Sequence, residues 1–143
     1  MNNRFKSGNT ILYCRQWKAT VAFYRDGLGL PVSFSNDWFV EFTVSGNARL
    51  SVADEMRASI KSGAGNGMTL SLETNDLDVE WNLLVQSGYS PSPIQNHPWN
   101  ARVFYIRDPE GHRIEFWQSA AGGSADYAHA ERKWVRRVKD LFL

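Results

Sequence analysis

The side chains best suited to chemistry are concentrated in residues 107–117, Arg-Asp-Pro-Glu-Gly-His-Arg-Ile-Glu-Phe-Trp. Asp108-Pro109-Glu110-Gly111 has the composition of a tight turn, because proline presets φ and glycine is free to take a positive one. A strand leaving that turn alternates, so Arg113, Glu115 and Trp117 share one face while Ile114 and Phe116 share the other. The apolar pair claims the core, and Glu115 is left facing something else. A carboxylate so placed suits a metal ligand, a general base, or the orienting charge for a bound organic molecule.

The remaining reactive residues form no second constellation. Cys14 is the single cysteine, reads as a buried strand thiol beside Ile11 and Leu12, and has no histidine near it in sequence to activate it. It can form no internal disulfide, which fits a reducing, cytoplasmic setting. His97 and His112 fall in expected loops and His129 on a C-terminal helix, so all three read as surface histidines. Zinc-type cysteine spacing and a phosphate-cradling glycine loop are both lacking. With 143 residues and a net charge of +1 the chain fits one domain, or one built from two small halves, and a polyanion binder is not expected. No run approaches the roughly 20 apolar residues of a membrane span, and residues 1–8 lack the apolar core of a signal peptide. Neither nucleic acid nor membrane is therefore an expected partner.

Two helices must position these residues. Trp17, Val21, Tyr24 and Leu28 make one stripe over 17–28, and Leu77, Trp81 and Leu84 repeat it sixty residues later, with Asp76, Asp78 and Glu80 loading the first turn and Gly88 ending it. Strands are expected at 9–14, 31–35, 38–44 and 49–54 around the first helix. Around the second they are expected at 69–74, weakly near Tyr89, at 102–107 and at 113–118. Each half reads as βαβββ, about 9–60 and 67–118, joined by a glycine-rich connector at 61–67. Residues 119–123 form a small-residue linker to a third amphipathic helix, 124–141, whose basic face reads as solvated. Trp17 and Trp81 belong to helix stripes and Trp134 to the terminal helix, so none of the three is a site candidate.

Two βαβββ modules, the text Phe23-Tyr24-Arg25-Asp26-Gly27-Leu28-Gly29-Leu30, and residues 108–116 together resemble the vicinal oxygen chelate superfamily. That superfamily holds glyoxalase I, extradiol dioxygenases, thiol-transferring fosfomycin resistance enzymes and bleomycin resistance proteins. The resemblance covers about residues 9–118 and implies an α+β fold, two βαβββ modules forming a curved mixed-sheet cup, as a domain of residues 1–118 to which 119–143 add the linker and helix. It also implies a homodimer. In metal-dependent members the ligands begin the first strand and sit on the last strand of each module; the matching positions are Asn9, Ser51, Thr69 and Glu115. Only Glu115 is a plausible metal ligand, and a divalent transition ion needs three or four good donors. No metal and no cofactor are expected.

The residues left to line the cup are then aromatic with isolated charges. Asn9 and Tyr13 on the first strand, Thr69 on the fifth, and Glu115 and Trp117 on the last share the faces of the ligand positions, with Trp38, Phe39 and Trp99 at the mouth, Arg102 among the ligand contacts, and Arg102 or Arg113 as a partner for Glu115. The stretch from Pro98 resembles a Pro-Trp-Gly loop of bleomycin resistance proteins, with Asn100 in place of glycine, a mild change because asparagine tolerates left-handed backbone. The leading expectation is metal-independent binding of a small aromatic or amphipathic molecule, of the drug-sequestering, antibiotic-resistance type. The alternative is a lyase or dioxygenase holding a metal by an atypical set around Glu115, or a metal-free catalyst using Glu115 as base. A third is a structural cup whose basic terminal helix meets a partner.

Overall fold

A computed structural model describes residues 3–98 and 100–120. Trp99, the linker beyond Ala120 and the expected third helix lie outside the described residues. The elements run β1 (Gly8–Cys14), α1 (Trp17–Ala22), β2 (Val32–Ser35), β3 (Phe39–Ser45), β4 (Ala48–Asp54), β5 (Thr69–Glu73), α2 (Leu77–Gln86), β6 (Gln95–His97), β7 (Ala101–Arg107) and β8 (Arg113–Ser119). They make two four-stranded sheets, ordered β1-β4-β3-β2 and β5-β8-β7-β6. The same strand order in both halves is the βαβββ duplication that the spacing of the helix stripes predicts. The fold is α+β.

Two compact units result, one reaching through Met68 and taking in Arg107–Arg113, the other made of Thr69–Ile106 and residues 114–120. The Asp-Pro-Glu-Gly turn thus belongs to the first unit although its flanking strands belong to the second.

In the first unit β1 runs parallel to β4, while β3 is antiparallel to both β4 and β2. One sheet face carries Leu12, Cys14, Val40, Phe42, Leu50 and Val52 against Val21, Phe23 and Tyr24 of the helix, all buried. The continuous α-helix expected over 17–28 is instead six residues of α1 followed by a π-helical turn, Phe23–Gly27, closed by Leu28 N–H on Phe23 C=O at 2.9 Å. The wider turn lets two sequence neighbours enter the core together, Phe23 and Tyr24 meeting edge to face at 5.0 Å.

In the second unit Asp76 accepts the Val79 N–H at 3.2 Å and starts α2, whose Leu77 and Leu84 are buried along with Phe104, Ile106, Ile114 and Phe116. Phe104 and Phe116 stack at 4.7 Å. The weak strand expected near Tyr89 forms at Gln95–His97 instead, because Pro91 and Pro93 have no N–H to place in a ladder. Trp17 and Trp81 are half-buried rather than core, each donating its indole N–H to a backbone oxygen at 2.9 Å, Val52 and Ser92 respectively.

Candidate functional site

The polar cluster most conspicuous in the sequence closes on itself. Asp108 Oδ1 accepts the backbone N–H groups of Glu110, Gly111 and His112 at 2.9–3.0 Å. Its Oδ2 accepts the Tyr24 hydroxyl at 2.7 Å and lies 2.8 Å from His112 Nδ1. Glu110 accepts the N–H groups of Arg15 and Gln16 at 2.9 and 2.7 Å, where the chain enters α1, and also the Ser62 hydroxyl. Burial alone would raise the Glu110 carboxyl, but these hydrogen bonds and nearby His112 hold it below its ordinary value. His112 is therefore not the surface histidine its loop position suggests; it is 6% exposed. Local turn composition locates the loop but does not show that the loop packs into the first unit.

The same packing explains two glycines. A Cβ on Gly65 would stand 2.2 Å from the Gly111 carbonyl carbon, so the connector and the turn meet backbone to backbone. Cys14 lies in this unit as well, and burial, with Glu110 and Asp108 adding negative charge, pushes its thiol up to about 12. A neutral buried thiol is no nucleophile at physiological pH.

The face of the first sheet turned away from its helix is different. Its register sets out rows of side chains: Tyr13, Ala53 and Phe39; Ile11, Ser51, Glu41 and Phe34; Asn9, Arg49 and Thr43. Asn9 and Ser51, two of the four positions that the resemblance matches to metal ligands, bond to each other, Ser51 Oγ donating to Asn9 Oδ1 at 2.8 Å. Asn9 Nδ2 donates weakly to Glu41 Oε2 at 3.5 Å. Glu41 was no sequence candidate, although the alternation of residues 39–44 places it with Phe39 and opposite buried Val40 and Phe42. A register shift between Val32 and Phe34 sets both Ser33 and Phe34 beside it, and Ser33 Oγ donates to Glu41 Oε1 at 2.7 Å. Phe34 is 53% exposed and its ring lies 6.4 Å from Phe39, which meets Trp38 at 5.6 Å.

In the second unit Ser71 Oγ donates to Glu115 Oε1 at 2.7 Å, and Glu115 is 7% exposed. Thr69 is exposed at the start of β5. Trp117 is as buried as Glu115 and packs with Ala101, Val103 and Tyr105, so its ring is part of a core cluster rather than an open wall. Arg102 does not serve Glu115. Strand alternation places it with Phe104 and Ile106, and its guanidinium forms a two-point pair with Asp78 of α2 at 2.8 and 3.0 Å. Asn100 has φ of 60°, the left-handed backbone expected of a glycine substitute there.

The donor chemistry does not fit a resident transition metal. Asn9 and Ser51 satisfy each other, Thr69 offers a neutral hydroxyl, and Glu115 brings the one charged oxygen. Among the described residues no group of three or more His, Cys, Asp or Glu is placed to hold an ion. A separate groove of about 570 Å³ lies on the helix side of the first sheet, lined by Trp17, Lys18, Val21, Arg25, Val32 and Val40 among others. Arg25 is there paired with Asp26 at 3.0 Å.

Residues 6–116 match the sequence model of the Glyoxalase/Bleomycin resistance protein/Dioxygenase superfamily, and the chain belongs to that superfamily. It is 26% identical over 119 residues to the uncharacterized protein YraH of Bacillus subtilis (strain 168), covering 75% of this chain and 93% of YraH. Among solved structures it is similar to TnmS3, an antibiotic binding protein from Streptomyces sp. CB03234, with a TM-score of 0.68, 18% identity, and coverage of 83% of this chain and 99% of that one. It is also similar to lactoylglutathione lyase from Agrobacterium tumefaciens, with a TM-score of 0.66, 23% identity, and coverage of 82% and 95%. At these identities the likeness shows the fold, and one fold carries both a binder and an enzyme.

Proposed function

We propose that this protein binds a small aromatic or amphipathic molecule on the sheet faces turned away from its helices, without metal chemistry, and acts by sequestering it. The observation that carries this reading is the fate of the four positions matched to metal ligands by resemblance. Asn9 and Ser51 are spent on each other, Thr69 is neutral, and Glu115 stands as the one charged donor, held by Ser71. Aromatic area remains beside them. Trp38 and Phe39, with Tyr13 and Asn9, supply the wall of the first unit; Thr69 and Glu115 supply contacts in the second. Flat rings with a few fixed polar groups suit a planar organic ligand. The antibiotic binding function of TnmS3 supports drug sequestration as the form this takes.

A cytoplasmic homodimer is part of the proposal. No helix of the described residues is long and apolar enough to cross a membrane, and β2 is an edge strand exposing Val32 and Phe34. Sedimentation at micromolar concentration is expected to report about twice the chain mass, and a monomer there removes the dimer from the proposal. The test of function is titration with 9-aminoacridine, a planar tricyclic amine, followed by tryptophan fluorescence in EDTA and again with zinc or manganese. Equal binding in both is expected. Binding or turnover that needs the metal and disappears in Glu115→Gln overturns the reading in favour of an enzyme.

A further inference from the structure

Resting on that binding reading and deepening it, we infer that Glu41 is the specificity-determining carboxylate of the first unit, selecting planar ligands that carry a protonated amine or amidine. The inference comes from what Glu41 has left to give. An ionised carboxylate offers about four acceptor sites. Ser33 takes one at 2.7 Å, and the Asn9 amide reaches the other oxygen only at 3.5 Å. Arg49, the nearest cation, holds its Nε 4.0 Å away while its Nη1 is turned onto the Gly46 carbonyl at 2.8 Å. Glu41 is therefore oriented without being neutralised by a close two-point pair, unlike Asp78, which Arg102 grips with two nitrogens.

Its surroundings supply the rest of a cation site. The Glu41 side chain is 28% exposed, far enough out to be reached and far enough in for its charge to be less screened than on open surface. Phe34 stands opposite it in the ladder and Phe39 precedes it on the same strand face, so a flat cation set against Glu41 meets an aromatic face as well. The register shift between Val32 and Phe34 is what makes this possible: a regular ladder would put only one of Ser33 and Phe34 beside Glu41. The orienting hydroxyl and the stacking ring thus come from consecutive residues. Ser33 is a positioning residue in this scheme, acting through Glu41.

A matched pair of probes tests this, 9-aminoacridine, cationic at neutral pH, and acridone, a neutral ring system of the same size. In Glu41→Gln the Kd for 9-aminoacridine is expected to rise about tenfold and that for acridone to stay within about twofold, since the charge contact alone is lost. Ser33→Ala is expected to weaken 9-aminoacridine by about threefold, with Ser33→Thr restoring it, and Phe34→Ala to weaken both probes. Near-ultraviolet circular dichroism checks that each variant is folded. If wild type binds both probes and Glu41→Gln changes neither, or weakens both alike, the role of Glu41 is refuted while the binding reading stands. If the cation preference vanishes in Glu115→Gln but survives in Glu41→Gln, charge recognition belongs to the second unit and the inference also falls. If wild type binds neither probe, the binding reading fails and takes the inference with it.

Discussion

Asp108 and Glu41 each accept a hydroxyl at 2.7 Å, from Tyr24 and from Ser33, yet the two carboxylates sit in opposite circumstances. The Asp108 side chain is fully buried and receives three backbone N–H groups, a phenol and a histidine nitrogen. Glu41 is over a quarter exposed and keeps acceptor capacity in hand. A dense run of polar residues in the sequence marked the first and not the second. The contrast shows that a carboxylate whose hydrogen bonds are all taken holds the fold, because its removal strands buried partners, whereas recognition requires valence left over.

Replacing Asp108 by alanine should have the largest effect. It strands the Tyr24 hydroxyl, a histidine nitrogen and three backbone donors in a buried place, and a loss of about 3–5 kcal/mol is expected in urea denaturation. Any fraction still folded should bind 9-aminoacridine with unchanged Kd; a binding loss beyond the folding loss would break the contrast between the two carboxylates.

Gly65→Ala tests the same region without touching a polar group. The added methyl meets the Gly111 backbone at 2.2 Å, and Gly65 already has a φ of 81°, so about 2–4 kcal/mol of stability should be lost as the connector lifts. A neutral result would mean that turn and connector are not pressed together.

Glu110→Gln should cost about 1–3 kcal/mol near neutral pH, because an amide is a weaker acceptor for the two N–H groups before α1. The pH dependence has a definite sign. The folded carboxyl lies below its ordinary value of 4.5, so its contribution is present above that value and is lost as pH falls through the folded pKa. Thermal melts from pH 6 downward should therefore drop more steeply for wild type than for Glu110→Gln, and parallel curves would show that the carboxylate is not the group responsible.

Glu41→Gln should move stability least, within about 0.5 kcal/mol, since the carboxylate is partly exposed and its neighbours can turn to water. A loss several times larger would make Glu41 a second Asp108. The comparison would then collapse into one structural role.

Much of the fold was legible locally. Period-two alternation put Leu12 and Cys14 inside and turned Glu115 away from Ile114 and Phe116, and the repeated helix stripes announced the two βαβββ halves. Asn100 could be read as a left-handed position from its residue type. These signals work because backbone periodicity and turn preference are properties of neighbouring residues. Other assignments failed for one shared reason. The pairing of Arg102 with Asp78, the burial of His112, the packing of Trp117 and the recruitment of Glu41 by Ser33 are choices of side-chain partner, and composition along the strand does not encode them.

By itself, then, the sequence determined most of the strands and where two helices lie, which face of those strands turns inward, and that one charged donor stands among the four positions matched to metal ligands by resemblance. Only the tertiary structure decided which carboxylate closes the core and which stays available. Tyr24 and Asp108 are 84 residues apart, and Arg15 and Glu110 are 95 apart. Even Ser33 and Phe34 meet beside Glu41 together only through a register shift that no periodicity announces. Hydrogen-bond valence is spent in three dimensions, so what is left for a ligand appears only after the chain has folded.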